Sequence, residues 1–127
     1  MAIRRITTGS PFEPKVGYAR AVVADGLVHV SGCTGADPET GVIPTDVVDQ
    51  CRNTLATIEK ALKAAGSDFT QALRVNYILP DRADFEPCWP LLRAAFGDNP
   101  PAATMIQAGL IVPEMKIEIE VTARAPA

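Results

Sequence analysis

The apolar side chains of this chain repeat with different periods in different stretches, and each period predicts an element. Residues 16–23 and 27–31 are rich in valine and alanine, and β-rich runs of this length are typical of strands. Asp25-Gly26 stands between them, and this pair favours a tight hairpin because glycine accepts a positive φ at no steric cost. The sequence therefore predicts a β-hairpin over residues 16–31.

A helix is predicted after the turn-rich loop of residues 35–41. Asp46 stands where an N-terminal cap belongs, and Gly66 stands where a glycine commonly ends a helix. Between these two residues the apolar side chains recur at helical spacing. They are Val47, Val48, Cys51, Leu55, Ile58, Leu62 and Ala65.

Two further strands and a second helix are predicted in the next part of the chain. Residues 71–79 and 103–110 have the composition of strands, and residues 87–96 between them form a helix that ends at Gly97. Pro90 falls inside the first turns of that helix, which predicts either a kink or a late start.

The last strand has the clearest pattern. Apolar and polar side chains alternate from residue 116 to residue 122, so one face of the strand is apolar and the other is charged. The apolar members are Ile117, Ile119 and Val121, and the polar members are Lys116, Glu118, Glu120 and Thr122.

The order of these elements predicts an α+β fold with one mixed sheet. Two helices can cover only one face of such a sheet, and the other face must find a partner, which favours an oligomer. The length of 127 residues and the lack of a polar linker predict a single domain over residues 1–127.

Composition and charge exclude several classes of protein. The net charge is −3 and the isoelectric point is about 5.1, which argues against nucleic-acid binding because that requires a basic face. No apolar run is long enough for a signal peptide or a membrane span. The three cysteines are far apart and form no CxxC motif, so we expect reduced thiols and a cytoplasmic protein.

Common catalytic and metal-binding patterns are absent. His29 is the only histidine, no cysteine is near enough in sequence to complete a zinc site with it, and we expect a neighbouring side chain to satisfy it. Extended chain would hold Cys33 roughly 13 Å from His29 unless Gly32 folds the strand back, which disfavours a nucleophile–base pair. The segment 31–35 lacks the lysine of a phosphate loop. No metal or cofactor is predicted.

Several separated motifs together resemble the Rid family (YjgF/YER057c/UK114). They are Val16-Gly17-Tyr18, Val30-Ser31-Gly32, the loop 37–41, residues 62–66, residues 81–85, Asn99-Pro-Pro-Ala-Ala-Thr104 and Lys116-Ile-Glu-Ile-Glu120. No single motif is specific, but their joint order is. The resemblance implies a chorismate-mutase-like domain, a barrel-like homotrimer with ligand clefts between subunits, and hydrolysis of reactive imines and enamines.

The resemblance also implies roles for individual residues. Glu118 matches the glutamate that positions or activates the attacking water, a role for which a carboxylate is suited. The alternatives are a surface glutamate paired with Lys116 or Arg124, or that Glu120 is the functional carboxylate.

Three other matches concern the cleft wall. Tyr18 and Ser31 match cleft residues that form hydrogen bonds with the ligand, and Gly32 matches a turn whose backbone approaches it. Each residue could instead serve only the local packing of a strand or turn.

The chain departs from the family pattern at residues expected to line the cleft. Ala103 replaces the arginine that binds the substrate carboxylate, and loss of that fork costs a carboxylate ligand about 2–5 kcal/mol. Trp89 either forms an apolar cleft wall or packs a helix on the sheet. Met105 extends that wall or fills the core. Cys33, beside the Ser-Gly turn, lines the cleft as a small apolar residue.

A different cation could replace the missing arginine. Arg20 lies two residues from Tyr18, which puts both side chains on one face if that segment is extended. Arg74 lies on a separate predicted strand. Either arginine could instead be a solvated surface residue.

Two functions are compatible with these residues. The first is a hydrolase or deaminase that acts on a small imine, enamine or related electrophile and uses Glu118. The second is a trimer that binds a small metabolite in the same cleft without chemistry. The family includes members labelled as endoribonucleases, but the acidic charge of this chain argues against that activity.

Overall fold

The predicted hairpin forms at the Asp-Gly pair. In the computed structural model, which describes residues 2–126, Asp25 and Gly26 have φ values of 54° and 76°. Two positive φ angles match the right-handed twist of the strands that they join. These strands are β2 (Ala21–Ala24) and β3 (Leu27–Thr34).

Four more strands complete a mixed six-stranded sheet. They are β1 (Arg4–Ile6), β4 (Ala72–Leu79), β5 (Ala102–Gln107) and β6 (Glu118–Arg124). The spatial order is β1-β2-β3-β6-β4-β5. The pair β4–β5 is parallel and every other neighbouring pair is antiparallel. Thus β6, which carries Glu118, lies in the middle of the sheet.

The long helix α2 (Val47–Ala64) covers one face of this sheet. Asp46 caps its N-terminus, since the Asp46 carboxylate accepts a hydrogen bond of 3.0 Å from the Val48 amide. The helix buries its apolar stripe against β3 and β6. Ile58 and Leu62 from the helix and Ile119 from β6 are fully buried.

Two shorter helices, α1 (Phe12–Val16) and α3 (Trp89–Phe96), complete the secondary structure apart from 3₁₀ turns. Helix α3 begins late, after a 3₁₀ turn at Glu86–Cys88, so Pro90 lies in its first turn and causes no kink. Within residues 2–126, no helix is both long enough and apolar enough to cross a membrane.

The structure corrects several predicted bounds. The predicted strand at 16–23 begins only at Ala21, because residues 12–16 form α1 and Gly17 ends it with a φ of 95°. Strand β3 continues past Ser31 to Thr34, and β5 ends at Gln107. The two elements that the sequence did not indicate are α1 and β1.

Candidate functional site

A β-bulge in β3 lies at the centre of the candidate site. Val30 pairs with Val121 and Cys33 pairs with Ile119, so β3 has one residue more than β6 over this stretch. Such a bulge bends a strand and re-aims its side chains. The segment around Ser31 and Gly32, predicted as the end of the strand, is therefore an irregularity within it.

Gly32 gives room for the carboxylate of Glu118. An ideal Cβ built on Gly32 would lie 2.9 Å from Cδ of Glu118 and closer still to its Oε2. Real Cβ atoms do not approach other atoms so closely, so any side chain at position 32 would displace the carboxylate. The glycine is required here by close approach and not by its backbone angles.

Arg20 connects the bulge to Tyr18. Its Nη1 donates hydrogen bonds to the Gly32 carbonyl oxygen (3.0 Å) and to Sγ of Cys33 (3.2 Å). Its Nη2 donates to the Tyr18 hydroxyl at 3.3 Å, and the guanidinium carbon lies 5.4 Å from the centre of the Tyr18 ring. We call Tyr18, Arg20, Gly32, Cys33 and Glu118 the Glu118 cluster.

The buried carboxylate of Glu13, which the sequence did not indicate, forms a salt bridge with Arg20. Glu13 is 3% exposed, and its Oε2 lies 4.0 Å from Nε of Arg20. Glu13 also accepts hydrogen bonds from the backbone amide (3.1 Å) and the hydroxyl (2.6 Å) of Thr8. A glutamate between a phenylalanine and a proline carries no sequence signal for this role, because its burial depends on tertiary contacts.

Glu118 and Glu120 have different surroundings. Within residues 2–126, no donor forms a hydrogen bond or salt bridge with the Glu118 side chain, whereas Glu120 accepts a hydrogen bond of 2.8 Å from Nδ2 of Asn76. Lys116 donates to the Thr45 carbonyl oxygen instead. The suggested pairing of Glu118 with Lys116 or Arg124 is therefore wrong.

The electrostatic environment raises the pKa of Glu118. Burial makes the largest contribution to this rise and the charge of Glu120 adds to it, while the nearby Arg20 opposes it. A partly buried carboxylate without a partner and with a raised pKa can take up and release a proton near neutral pH more readily than an ordinary glutamate.

Cys33 and Ser31 also form contacts within this region, and Ser31 lines a polar depression on the same face as Glu118. Burial raises the pKa of the Cys33 thiol, although Arg20 opposes the rise, and Cys33 is only 3% exposed. Burial and a raised pKa both make this thiol a weaker nucleophile than an exposed cysteine. The Ser31 hydroxyl donates a 2.7 Å hydrogen bond to the carbonyl oxygen of Ala19, which uses the proton that was expected to be available to a ligand.

The remaining predicted residues line a second site. Trp89, Ala103 and Met105 border an apolar depression of about 290 Å³ between α3 and β5, which we call the Trp89 depression. Phe85 links it to the core: its ring centre lies 6.0 Å from that of Trp89 and 5.3 Å from that of Tyr77. Trp89 thus both packs on the protein and forms a wall.

The two sites open on opposite faces of the sheet. Glu118 pairs with Ile78, and Met105 pairs with Tyr77. Consecutive residues of a strand point to opposite faces. Within one chain, therefore, the Glu118 cluster does not meet the Trp89 depression.

The face that carries Glu118 also holds a polar depression of about 320 Å³. Arg74, Glu120 and His29 line it. Arg74 donates a 2.9 Å hydrogen bond to the Thr104 hydroxyl, and Nδ1 of His29 lies 3.3 Å from the Thr122 hydroxyl. His29 is thus satisfied by a neighbour, as expected. Residues 2–126 contain no group of three or more His, Cys, Asp or Glu side chains suited to a metal ion.

Comparison with known proteins places this geometry in a family. The family model described as Endoribonuclease L-PSP matches residues 8–125. The 2-iminobutanoate/2-iminopropanoate deaminase of Rattus norvegicus is 32% identical over 95% of this chain and 90% of its own length. The RutC family protein UK114 of Drosophila melanogaster is 32% identical over 91% of this chain and 84% of its own.

A solved structure shows the same fold. A member of the YjgF/YER057c/UK114 family from Mycobacterium tuberculosis superimposes with a TM-score of 0.87 and is 32% identical, covering 97% of this chain and 99% of its own. Both the sequence motifs and the fold therefore agree with the resemblance. The chain belongs to the Endoribonuclease L-PSP family, also known as the YjgF/YER057c/UK114 or Rid family.

Proposed function

We propose that this protein hydrolyses a small imine, enamine or related reactive metabolite, with Glu118 as the group that moves the proton. The observation that supports this most is the state of the Glu118 carboxylate, which lies against the Gly32 backbone, has no partner among residues 2–126 and has a raised pKa. The similarity to relatives named as imine deaminases supports the class of reaction.

In the proposed reaction Glu118 performs two proton transfers, and the departing ammonia performs a third. Glu118 takes a proton from water as the water oxygen bonds to the carbon of a protonated imine, and the C=N electron pair moves to nitrogen. Glu118 then returns that proton to the nitrogen, and the C–N bond breaks. Ammonia leaves and takes up the hydroxyl proton as the carbonyl product forms. One carboxylate with a pKa raised toward neutrality can perform both transfers.

The rest of the cluster would shape the cleft. Tyr18 is 37% exposed and forms a wall. Arg20 is a positioning residue, since it joins Tyr18 to the bulge and its charge limits the rise in the pKa of Glu118. We further propose a homotrimer, as the family resemblance implies, in which the cleft lies between subunits and combines the Glu118 cluster of one copy with the Trp89 depression of its neighbour.

Replacement of Glu118 by glutamine tests the catalytic proposal. Glu118→Gln keeps the shape of the side chain and removes the base, so we expect kcat for freshly generated 2-imino acids or enamines to fall by about 10²–10⁴-fold. Glu120→Gln is the matched control on the same strand face and should keep most of the turnover. Equal loss in both variants, or none in Glu118→Gln, would remove Glu118 from the proposed role.

A non-catalytic binding protein is the second candidate function. The apolar walls of the Trp89 depression favour it, because small-molecule sites are mostly apolar. Trp89 is the only tryptophan, so its fluorescence reports directly on occupancy. Quenching by a metabolite that is recovered unchanged after prolonged incubation, together with no turnover of any imine, would favour this function over hydrolysis.

A further inference from the structure

The Trp89 depression lacks the arginine that the family pattern would place at residue 103, but another arginine borders the same space. Arg93 of α3 lines the depression together with Ala103. Arg93 follows Trp89 by four residues and precedes Gly97 by four, and these positions lie on one face of a helix. All three residues line the depression.

Arg93 also forms fewer side-chain hydrogen bonds and salt bridges than Arg20 or Arg74. Its side chain is exposed and forms no hydrogen bond or salt bridge with any of residues 2–126. The side chain of Arg20 is 11% exposed and already donates to Gly32, Cys33 and Tyr18. Arg74 donates to Thr104 on the opposite face. Among residues 2–126, Arg93 is the one arginine that lines this space, and its guanidinium group has no partner there.

The remaining walls define the ligand that would accompany such a cation. They are apolar or aromatic, and include Phe85, Phe96, Pro101 and Met105. A volume of about 290 Å³ takes on the order of ten non-hydrogen atoms at about 30 Å³ each. An apolar wall with one cation fits an amphipathic anion better than a small polar acid.

We propose that the Trp89 depression binds an aromatic or branched apolar carboxylate, with the apolar group against Trp89 and Met105 and the carboxylate on Arg93. If the proposed function holds, the substrate is a 2-imino acid or enamine with a bulky apolar side chain, and this part of the inference rests on the proposed function. Binding itself needs no turnover. Arg93 of α3 then supplies the positive charge that is missing at residue 103 of β5, where the family pattern has an arginine.

Isothermal titration calorimetry with stable probes tests the inference. The probes are 3-phenylpropanoate, the uncharged 3-phenylpropanamide, and acetate, which lacks the apolar group. We expect the unmodified protein to bind 3-phenylpropanoate at least about tenfold more tightly than the amide, because a charge-assisted bidentate pair is lost with the amide. Acetate should bind more weakly than either.

Variants assign the preference to Arg93. Arg93→Ala and Arg93→Gln should bind the acid and the amide equally, and adding Ala103→Arg to Arg93→Ala should restore the preference for the acid. Arg52→Ala is the matched control, since Arg52 lies on α2 and pairs with Asp49 at the surface. It should leave all affinities unchanged.

The outcomes separate this inference from the catalytic proposal. Glu118→Gln should retain the preference for the acid even when turnover is lost. Equal affinity of the unmodified protein for the acid and the amide would overturn the inference. So would a preference for the acid that survives in Arg93→Ala.

Discussion

At the scale of single residues, the candidate site depends on one close approach. The Glu118 carboxylate occupies the space that a Cβ atom on residue 32 would fill. Gly35, three residues further along the chain, is also closely approached, but by the backbone of α2 at Gln50. A Cβ at residue 32 would therefore meet the end of a side chain, whereas a Cβ at residue 35 would meet the backbone of a helix.

Alanine at each glycine should give opposite results. In Gly32→Ala the new Cβ displaces only the flexible end of Glu118, so we expect stability to change by about 1 kcal/mol or less and turnover to fall as in Glu118→Gln. In Gly35→Ala the Cβ would lie 2.5 Å from Cα of Gln50, and overpacking against a helix should cost about 1–3 kcal/mol or more. Urea unfolding and kcat, measured on both variants, check this.

Full activity in Gly32→Ala would contradict the placement of the Glu118 carboxylate over the bulge. A stable Gly35→Ala would contradict the close packing of α2 on β3.

The sequence indicated part of this site and omitted the rest for physical reasons. The matches at Tyr18, Gly32 and Glu118 converge in space, as does Arg20. The proximity of Tyr18 and Arg20 was expected from strand alternation, but β2 begins only at Ala21. Tyr18 and Arg20 therefore lie before the strand, and their side chains meet through the hydrogen bond from Arg20 to the Tyr18 hydroxyl. Glu13 and Arg93 depend on tertiary position alone, and no local pattern marks them.

At the scale of elements, the alternation of β6 sets the electrostatics. Glu118 and Glu120 are two residues apart and lie on the same face of the strand. The charge of Glu120 is the second cause of the raised pKa of Glu118, after burial. The residue at position 120 thus affects the pKa of Glu118, the next residue on that face of the strand.

A pH profile tests this coupling. The proposed hydrolysis requires ionised Glu118, so kcat/KM should fall as the pH is lowered through the raised pKa of this carboxylate. Glu120→Gln removes the like charge and lowers the pKa of Glu118, which should move this acidic limb to lower pH. Arg20→Gln removes the opposing charge and should move the limb to higher pH. Coincident limbs in the unmodified protein and both variants would count against Glu118 as the titrating base.

The sequence predicted the elements that have a long residue pattern, and it did not predict the features that depend on pairing between strands. The Asp25-Gly26 hairpin, the helix capped by Asp46 and the alternating strand β6 are confirmed. Strand β1 has only three residues, two of them arginines, and it is recognisable only by its pairing with β2. The bulge in β3 is a property of its register with β6, which no single strand encodes.

At the scale of the whole molecule, the sheet is covered on one face only. Strand β5 is at its edge, and Met105 and Ile106 of that strand are 55% and 44% exposed. An exposed edge strand with apolar side chains is a surface that soluble proteins usually cover. The architecture thus supports the proposed self-association.

Sedimentation velocity should give a mass three times the 13.5 kDa of one chain. Ile106 lies on the open face of the sheet, whereas Met105 and Tyr77 lie on the opposite face. Ile106→Lys should therefore shift the protein toward monomers and reduce turnover, because the proposed cleft needs two subunits. Val42→Lys is the control, since Val42 is 63% exposed in the loop before α2. A monomeric native protein with full turnover would contradict the shared cleft.

The three cysteines bear on how long such a protein would survive its own chemistry. Each of Cys33, Cys51 and Cys88 is at most 3% exposed. Imines, enamines and related compounds include electrophiles that alkylate accessible thiols. A chain with the proposed activity meets these compounds at high local concentration. With no thiol of residues 2–126 at the surface, alkylation of cysteine is disfavoured, and we expect the number of turnovers that each molecule completes not to be limited by damage to its thiols.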